Sequence, residues 1–184
     1  MKVMKVGKIE IITGCMFSGK SEELIRRLKR EQIAKHEIQI FNPVPQIVTN
    51  SGEKFHVGTI LNSSKDILSK ISDTVQVVGI DEAQFYDMGI IETVKDIATR
   101  GIRVIIAGLD MDFRGEVFGP MGNLMAIADE VTKLHAICTV CGEEATMTQR
   151  IINGKAAHSS DPVVLIGASE RYEARCKLHH EVIK

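Results

Sequence analysis

Gly14-Cys15-Met16-Phe17-Ser18-Gly19-Lys20-Ser21 matches the pattern G-x-x-x-x-G-K-[ST], and its reading decides the fold. Glycines let the backbone curl so that successive N–H groups point at phosphate oxygens, and a following helix directs its positive end to the same place. At this spacing Lys20 reaches the β- and γ-phosphates of a nucleotide and the Ser21 hydroxyl ligates Mg²⁺. A glycine-rich turn with a stray lysine would show the same letters, so the context has to decide. Residues 8–13 (KIEIIT) form a β-rich run into Gly14, and from 18 to about 34 Leu24, Ile25 and Leu28 recur at helical spacing. Strand, loop and helix in that order predict a phosphate-binding loop.

Working outward, residues 37–41 (EIQIF) read as a strand stopped by Asn42-Pro43-Val44-Pro45. A polar stretch follows, with a short strand expected near 56–60 and a helix over 64–71 capped by Ser63 or Ser64. Residues 75–80 (VQVVGI) and 102–109 (IRVIIAGL) are apolar nearly throughout, as strands covered on both faces are, and 88–99 is helical by pattern. Strands alternating with helices predict an α/β fold: a parallel sheet of the P-loop type, flanked by helices. After about Leu134 the style changes. Helical periodicity fades, and short β-like pieces at 145–150 and 163–167 lie among three of the four cysteines. The expected division is an ATP-binding unit over 1–134 and a smaller metal-binding unit over 135–184.

Asp81-Glu82 follows the second buried strand. An aspartate there is placed to hold Mg²⁺ through its water shell, and a second carboxylate beside it can face an acceptor as general base. The spacing alone does not say which does which. Cys138-Thr139-Val140-Cys141 and Cys176-Lys177-Leu178-His179 form C-x₂-C and C-x₂-H pairs 34 residues apart. Three thiolates and one imidazole complete a closed tetrahedral Zn²⁺ site, which is structural because no position is left for water. His180 is a rival ligand one residue out of step, and Cys15, inside the phosphate loop, is not expected to be a ligand.

The 184 residues are 44% hydrophobic and 26% charged, with a formal net charge of −1, so disorder is excluded and no net positive field recruits nucleic acid or anionic lipid. Residues 1–30 carry eight Lys/Arg against three Glu, but much of that lies in 22–31, where Glu22/Arg26 and Glu23/Arg27 at i,i+4 read as a solvated helix face. The start of the chain lacks the apolar core of an export signal, and no run approaches 18 apolar residues, so neither export nor a membrane span is expected. Four cysteines without an export signal read as reduced thiols or metal ligands of a cytoplasmic protein.

The motifs together resemble the type II thymidine kinases. The resemblance rests on the loop G-x-M-F-S-G-K-S, on Asp81-Glu82-Ala83-Gln84-Phe85, on Gly108-Leu109-Asp110-Met111-Asp112-Phe113-Arg114-Gly115 and on the C-x₂-C…C-x₂-H tail, in order along nearly the whole chain. It implies transfer of the γ-phosphoryl group of ATP to the 5′-hydroxyl of thymidine, making dTMP in nucleotide salvage for DNA synthesis. It assigns Glu82 as general base, and Gly14 to Ser21 with Asp81 and Gln84 as the ATP·Mg²⁺ site. Met16, Phe85, Leu109, Phe113 and Phe118 would line the base pocket. Thr148, Tyr172 and the backbone of Val163, Val164, Leu165, Ile166 and Gly167 would meet thymine from a zinc-pinned lasso. It further implies a homotetramer inhibited by thymidine triphosphate.

Backbone readout suits thymine, whose O4/N3/O2 edge is acceptor–donor–acceptor. One departure stands out. The family's D-x-R-[YF] segment is replaced by Val44-Pro45-Gln46-Ile47, with neither charge, leaving Arg114 and Arg150 as compensating candidates by family position. Two other functions fit parts of the sequence: a P-loop enzyme with a different acceptor, and an ATP-switched nucleic-acid-binding module. The second is disfavoured by the charge balance and by eight aromatics with no tryptophan.

Overall fold

The computed structural model describes residues 6–43, 59–60, 63–164 and 170–184. Six strands form one sheet in the order β3-β2-β4-β5-β1-β6, and every pairing in it is parallel. They are β1 (Ile9–Gly14), β2 (Ile38–Asn42), β3 (Thr59–Ile60), β4 (Val77–Ile80), β5 (Arg103–Gly108) and β6 (Glu130–Leu134), joined through helices α1 (Lys20–Ile33), α2 (Ser64–Lys70), α3 (Ile90–Thr99) and α4 (Met121–Ile127). The expected α/β architecture is the observed one.

Alternation along the strands sorts the core into two layers. Ile11, Phe41, Val78, Ile80, Val104 and Ile106 pack against α2, α3 and α4, through Ile67, Ile90, Val94, Ile97, Met121 and Leu124. Ile12, Ile40, Val77, Ile105 and Ala107 pack on the opposite face against Leu24, Ile25 and Leu28 of α1. Both faces are covered, which is why the strands read as unbroken apolar runs. The exception is Glu10, only 2% exposed in the middle of β1. Arg27 of α1 and Arg103 of β5 each reach its carboxylate at 2.8 Å, so the buried charge is compensated by two guanidinium groups. Glu23 pairs with both Arg26 and Arg27, so the basic stretch of α1 is tied into the helix face.

Sequence reasoning missed α4 and β6. Helix α4 is only seven residues long and contains Gly122, though Met121, Leu124 and Met125 carry the period. Strand β6 lies at the sheet edge beside β1, and its half-exposed residues break the apolar run that identified the other strands. The short strand expected near 56–60 is found only as β3, since 56–58 lie outside the described residues.

Beyond β6 the chain forms a hairpin of β7 (Ala136–Ile137) and β8 (Glu144–Ala145), then an antiparallel sheet in the order β10-β9-β11. Its strands are β9 (Met147–Ile152), β10 (Lys155–Ala156) and β11 (Glu170–Arg175). Val163 and Val164 are not in a strand, and Leu165, Ile166 and Gly167 lie outside the described residues. Strand β11 had no forecast; its charged alternation, ERYEAR, hides a single buried position, Ala174. Among the described residues no helix is long and apolar enough to cross a membrane.

Candidate active site

Strands β4, β5 and β1 are neighbours in the sheet, so the loops that leave their carboxyl ends meet over its edge. In a parallel α/β sheet that is where ligands bind. The loop after β1 carries residues 14–19 into α1. Gly14 has φ 142°, and a Cβ there would lie 2.2 Å from the carbonyl oxygen of Leu134, so only glycine allows β6 to run beside the loop. Ser18 Oγ donates to the carbonyl of Cys15 at 2.8 Å, and Lys20 Nζ donates to the same carbonyl at 2.7 Å. Burial lowers the Lys20 pKa, opposed chiefly by the Glu82 carboxylate beside it.

The two carboxylates after β4 diverge. Asp81 is 3% exposed. Burial, reinforced by the charge of Glu82, pushes its carboxyl up to about 7, against hydrogen bonds from the Glu82 N–H and the Ser21 hydroxyl. Two hard oxygen donors, one of them a carboxylate whose charge burial disfavours, suit a divalent cation, so Ser21 and Asp81 fit Mg²⁺. Glu82 instead lies on the wall of the cleft. It reaches that position by adopting φ 52°, ψ 40°, the left-handed region that costs a non-glycine residue about 1–3 kcal/mol. Its N–H donates to Asp81 Oδ1 at 2.9 Å. The backbone reversal thus separates a buried carboxylate from one that lines the cleft.

The cleft holds about 430 Å³. Phosphate-loop residues Met16, Phe17, Gly19, Lys20 and Ser21 form one end, and Phe85, Leu109, Phe113, Phe118, Thr148, Val163, Val164 and Tyr172 form the other. Phe85 and Phe118 meet edge to face, ring centroids 5.5 Å apart. Sequence reasoning missed Glu22, Met111 and Asp112, which also line it; Met111 and Asp112 sat unassigned inside the Gly108–Gly115 motif. Of the expected nucleotide-site residues, Gly14, Cys15 and Ser18 shape the loop from behind. Gln84 is 3% exposed, and its amide is shared between Leu109 and Glu82.

The tail is fastened to this cleft. Cys15 Sγ donates to the Ala145 carbonyl at 3.3 Å, and the Met16 N–H donates to Thr148 Oγ1 at 3.1 Å. His180 Nε2 donates to the Phe113 carbonyl at 2.8 Å, which occupies the imidazole that rivalled His179 as a ligand. The guanidinium groups of Arg114 and Arg150 lie 5.1 and 5.0 Å from the Phe113 ring centroid. Arg114 donates to the carbonyl of Asp161 and Arg150 to that of Pro162, each at 2.6 Å. Arg114 thus ties the loop after β5 to the tail, and Arg150 of β9 braces the tail internally; the Val44–Ile47 segment that they were candidates to replace lies outside the described residues.

Cys138 and Cys141 sit in the turn between β7 and β8, closed by Cys138 N–H to Glu143 O and Gly142 N–H to Cys138 O. Cys176 and His179 form a second turn after β11, closed by His179 N–H to Cys176 O. The four ligand atoms lie within 4.8 Å of one another. Cys141 Sγ is 3.8 Å from Cys176 Sγ, and His179 Nδ1 is 3.2 and 3.8 Å from the sulfurs of Cys176 and Cys138. Zn–S bonds of about 2.3 Å at tetrahedral angles place sulfurs about 3.8 Å apart, so the cluster fits zinc. Burial raises the Cys138 thiol, but N–H groups of Cys176, Cys141 and Val140 outweigh it and bring it down to about 6, favouring the thiolate that a metal needs.

A phosphate loop on a parallel sheet, a carboxylate facing the cleft and an apolar compartment for an acceptor define a P-loop phosphotransferase. The family model described as "Thymidine kinase" matches residues 7–180, and the chain belongs to that family. It is an ATP-dependent kinase that phosphorylates thymidine in nucleotide salvage. The Cys₃His cluster is consistent with the zinc-containing, type II branch.

Proposed function

We propose that Glu82 is the general base of the thymidine kinase reaction, taking the proton of the 5′-hydroxyl as that oxygen attacks the γ-phosphorus of ATP. The observation that carries this reading is the left-handed turn at Glu82, which brings its carboxylate to the cleft wall beside Lys20 and Ser21 while Asp81 stays buried. The amides of the 14–21 loop and the Lys20 ammonium hold the phosphates. Mg²⁺, when held by Ser21 and Asp81, supplies positive charge to the transferring group. Phosphoryl transfer asks little covalent chemistry of the protein, so most of the rate comes from positioning and electrostatics.

Thymine lies among Met16, Phe85, Leu109, Phe113 and Phe118, with Thr148 and Tyr172 beside it and residues 163–167 reading its edge through backbone groups. A pocket around the 5-methyl discriminates against uracil by only about 1–3 kcal/mol, whereas cytosine would leave buried polar groups unpaired. Residues 135–184 act as the zinc-held lasso that covers the nucleoside, and residues 1–134 as the ATP-binding unit. A homotetramer in the cytoplasm, inhibited by thymidine triphosphate spanning both sites, completes the reading.

The test is ADP release with Mg·ATP and one acceptor at a time: thymidine, deoxyuridine, deoxycytidine, deoxyadenosine, uridine or none. Release with thymidine far above the others, giving a 5′-monophosphate, is expected. Equal release without an acceptor would mean an ATPase and end the lasso reading. Glu82→Gln should abolish most of kcat with ATP binding kept, and the base assignment fails if kcat holds within a few-fold.

A further inference from the structure

The Gln84 side chain is nine-tenths buried and lies between two partners of opposite need. Its Oε1 accepts the backbone N–H of Leu109 at 3.0 Å, and its Nε2 donates to Glu82 Oε2 at 2.5 Å. A backbone amide can only donate, so the Leu109 contact fixes which end of the Gln84 amide is oxygen. The NH₂ group is thereby committed to the Glu82 carboxylate. The fold makes room for this orientation: a Cβ on Gly108 would lie 2.9 Å from Gln84 Oε1 and 2.7 Å from Met121 Sδ.

We propose that Gln84 is a positioning residue, which holds the Glu82 carboxylate in its base-competent rotamer by donating from an amide anchored to the end of β5. The proposal rests on the reading of Glu82 as the base and reassigns Gln84 from the nucleotide to the acceptor side of the reaction. The physical need is specific. Glu82 stands on a three-residue 3-10 turn, Ala83–Phe85, with only its own backbone reversal to aim it, and a glutamate has three rotatable bonds to lose. Nearby Lys20 would draw the carboxylate towards the phosphates. A neutral donor at 2.5 Å competes with that pull and orders the carboxylate without an ion pair, and hydrogen bonds to charged groups are the strong ones. Strands β4 and β5 thus aim one side chain together, so the base is set by the sheet rather than by the loop that carries it.

Two variants at position 84 and a double-mutant cycle test this with full-length protein at pH 8. Gln84→Met removes both hydrogen bonds. Gln84→Glu keeps an acceptor for Leu109 but sets a second carboxyl against Glu82, and a buried carboxyl pair in contact shares a proton, so the base is partly protonated. Both should lower kcat about 10- to 100-fold, with KM for thymidine and ATP within about threefold. In a Glu82→Gln background, Gln84→Met should cost nothing further, because there is no base left to aim. Melting temperature and zinc content establish that each variant is folded. Retention of kcat in folded Gln84→Met would show that Glu82 needs no donor from position 84 and overturn the proposal. An additive loss in the double variant would do the same, while a severely impaired Glu82→Gln single variant would leave the base assignment standing. If Glu82→Gln is itself nearly as active as wild type, the base reading falls first and takes the positioning role with it.

Discussion

The sheet and the tail are held together by different means. Between its two layers the sheet buries isoleucine, leucine, valine and phenylalanine, with Ile11, Ile12, Phe41, Ile105 and Ile106 wholly inaccessible. The buried cluster of the tail is Ala136, Cys138, Ala145 and Ala174, completed by Cys15 borrowed from the phosphate loop. A buried methylene contributes about 0.8 kcal/mol, so the small buried side chains of the described tail residues, Ala157 included, offset little of the backbone entropy of ordering it. A metal ion held by the Cys₃His cluster on its two tight turns would supply what the tail lacks in apolar burial; structural zinc contributes about 10–16 kcal/mol in finger peptides. The sheet carries the phosphate loop on a large apolar core, whereas the tail carries its Cys₃His cluster on little apolar burial.

Single substitutions act on one region or the other. Lys20→Ala should cut turnover by about 10²- to 10³-fold with one zinc per chain retained. Unchanged turnover would remove the phosphate role, and lost zinc would mean that the two regions do not stand apart. Ile106→Ala should destabilise the sheet by about 2–5 kcal/mol in denaturant titration, with the zinc site intact until global unfolding. A cost below 1 kcal/mol would contradict the tightly packed layer drawn above. Cys141→Ser, or chelation, should release the metal and weaken thymidine binding at least about tenfold, while ATP binding changes little. Zinc remaining at one per chain would show the ligand set to be wrong.

Thr148→Val is a gentler probe of the joint between the regions. It strips the Met16 N–H of its acceptor and should cost about 1–3 kcal/mol, read as raised KM for thymidine and ATP together; a rise in one alone would deny the coupling. The smallest effect concerns pH. Asp81 binds a proton more tightly folded, near 7, than unfolded, near 3.8, so in metal-free buffer it should erode stability as pH rises through that window. Asp81→Asn should therefore raise the melting temperature at pH 8 and not at pH 4, at the expense of activity. Equal shifts at both values would reject the buried-carboxylate account.

Much of this was legible in the chain because the relevant chemistry is local. The Gly14–Ser21 loop, the Asp81-Glu82 pair and the two ligand turns each depend on residues a few positions apart, and their spacing is their geometry. The apolar runs of β4 and β5 announced strands covered on both faces. Helix α4 and strand β6 were not legible, since a short helix with an internal glycine and an edge strand with alternating charge carry little periodic signal.

The sequence alone determined the α/β class, the phosphate loop, the metal-binding cluster and the family. Only tertiary structure set one acidic residue inside and the other on the cleft wall, because the different environments of Asp81 and Glu82 arise from one left-handed residue and from burial that no spacing encodes. It also turned Arg114 and Arg150 onto Phe113 and the carbonyls of the tail, and set Gln84 between Glu82 and Leu109. The contacts of Gln84 with Leu109, of Arg114 with Asp161 and of Arg150 with Phe113 join residues 25 or more positions apart, and such pairings exist only once the chain is folded.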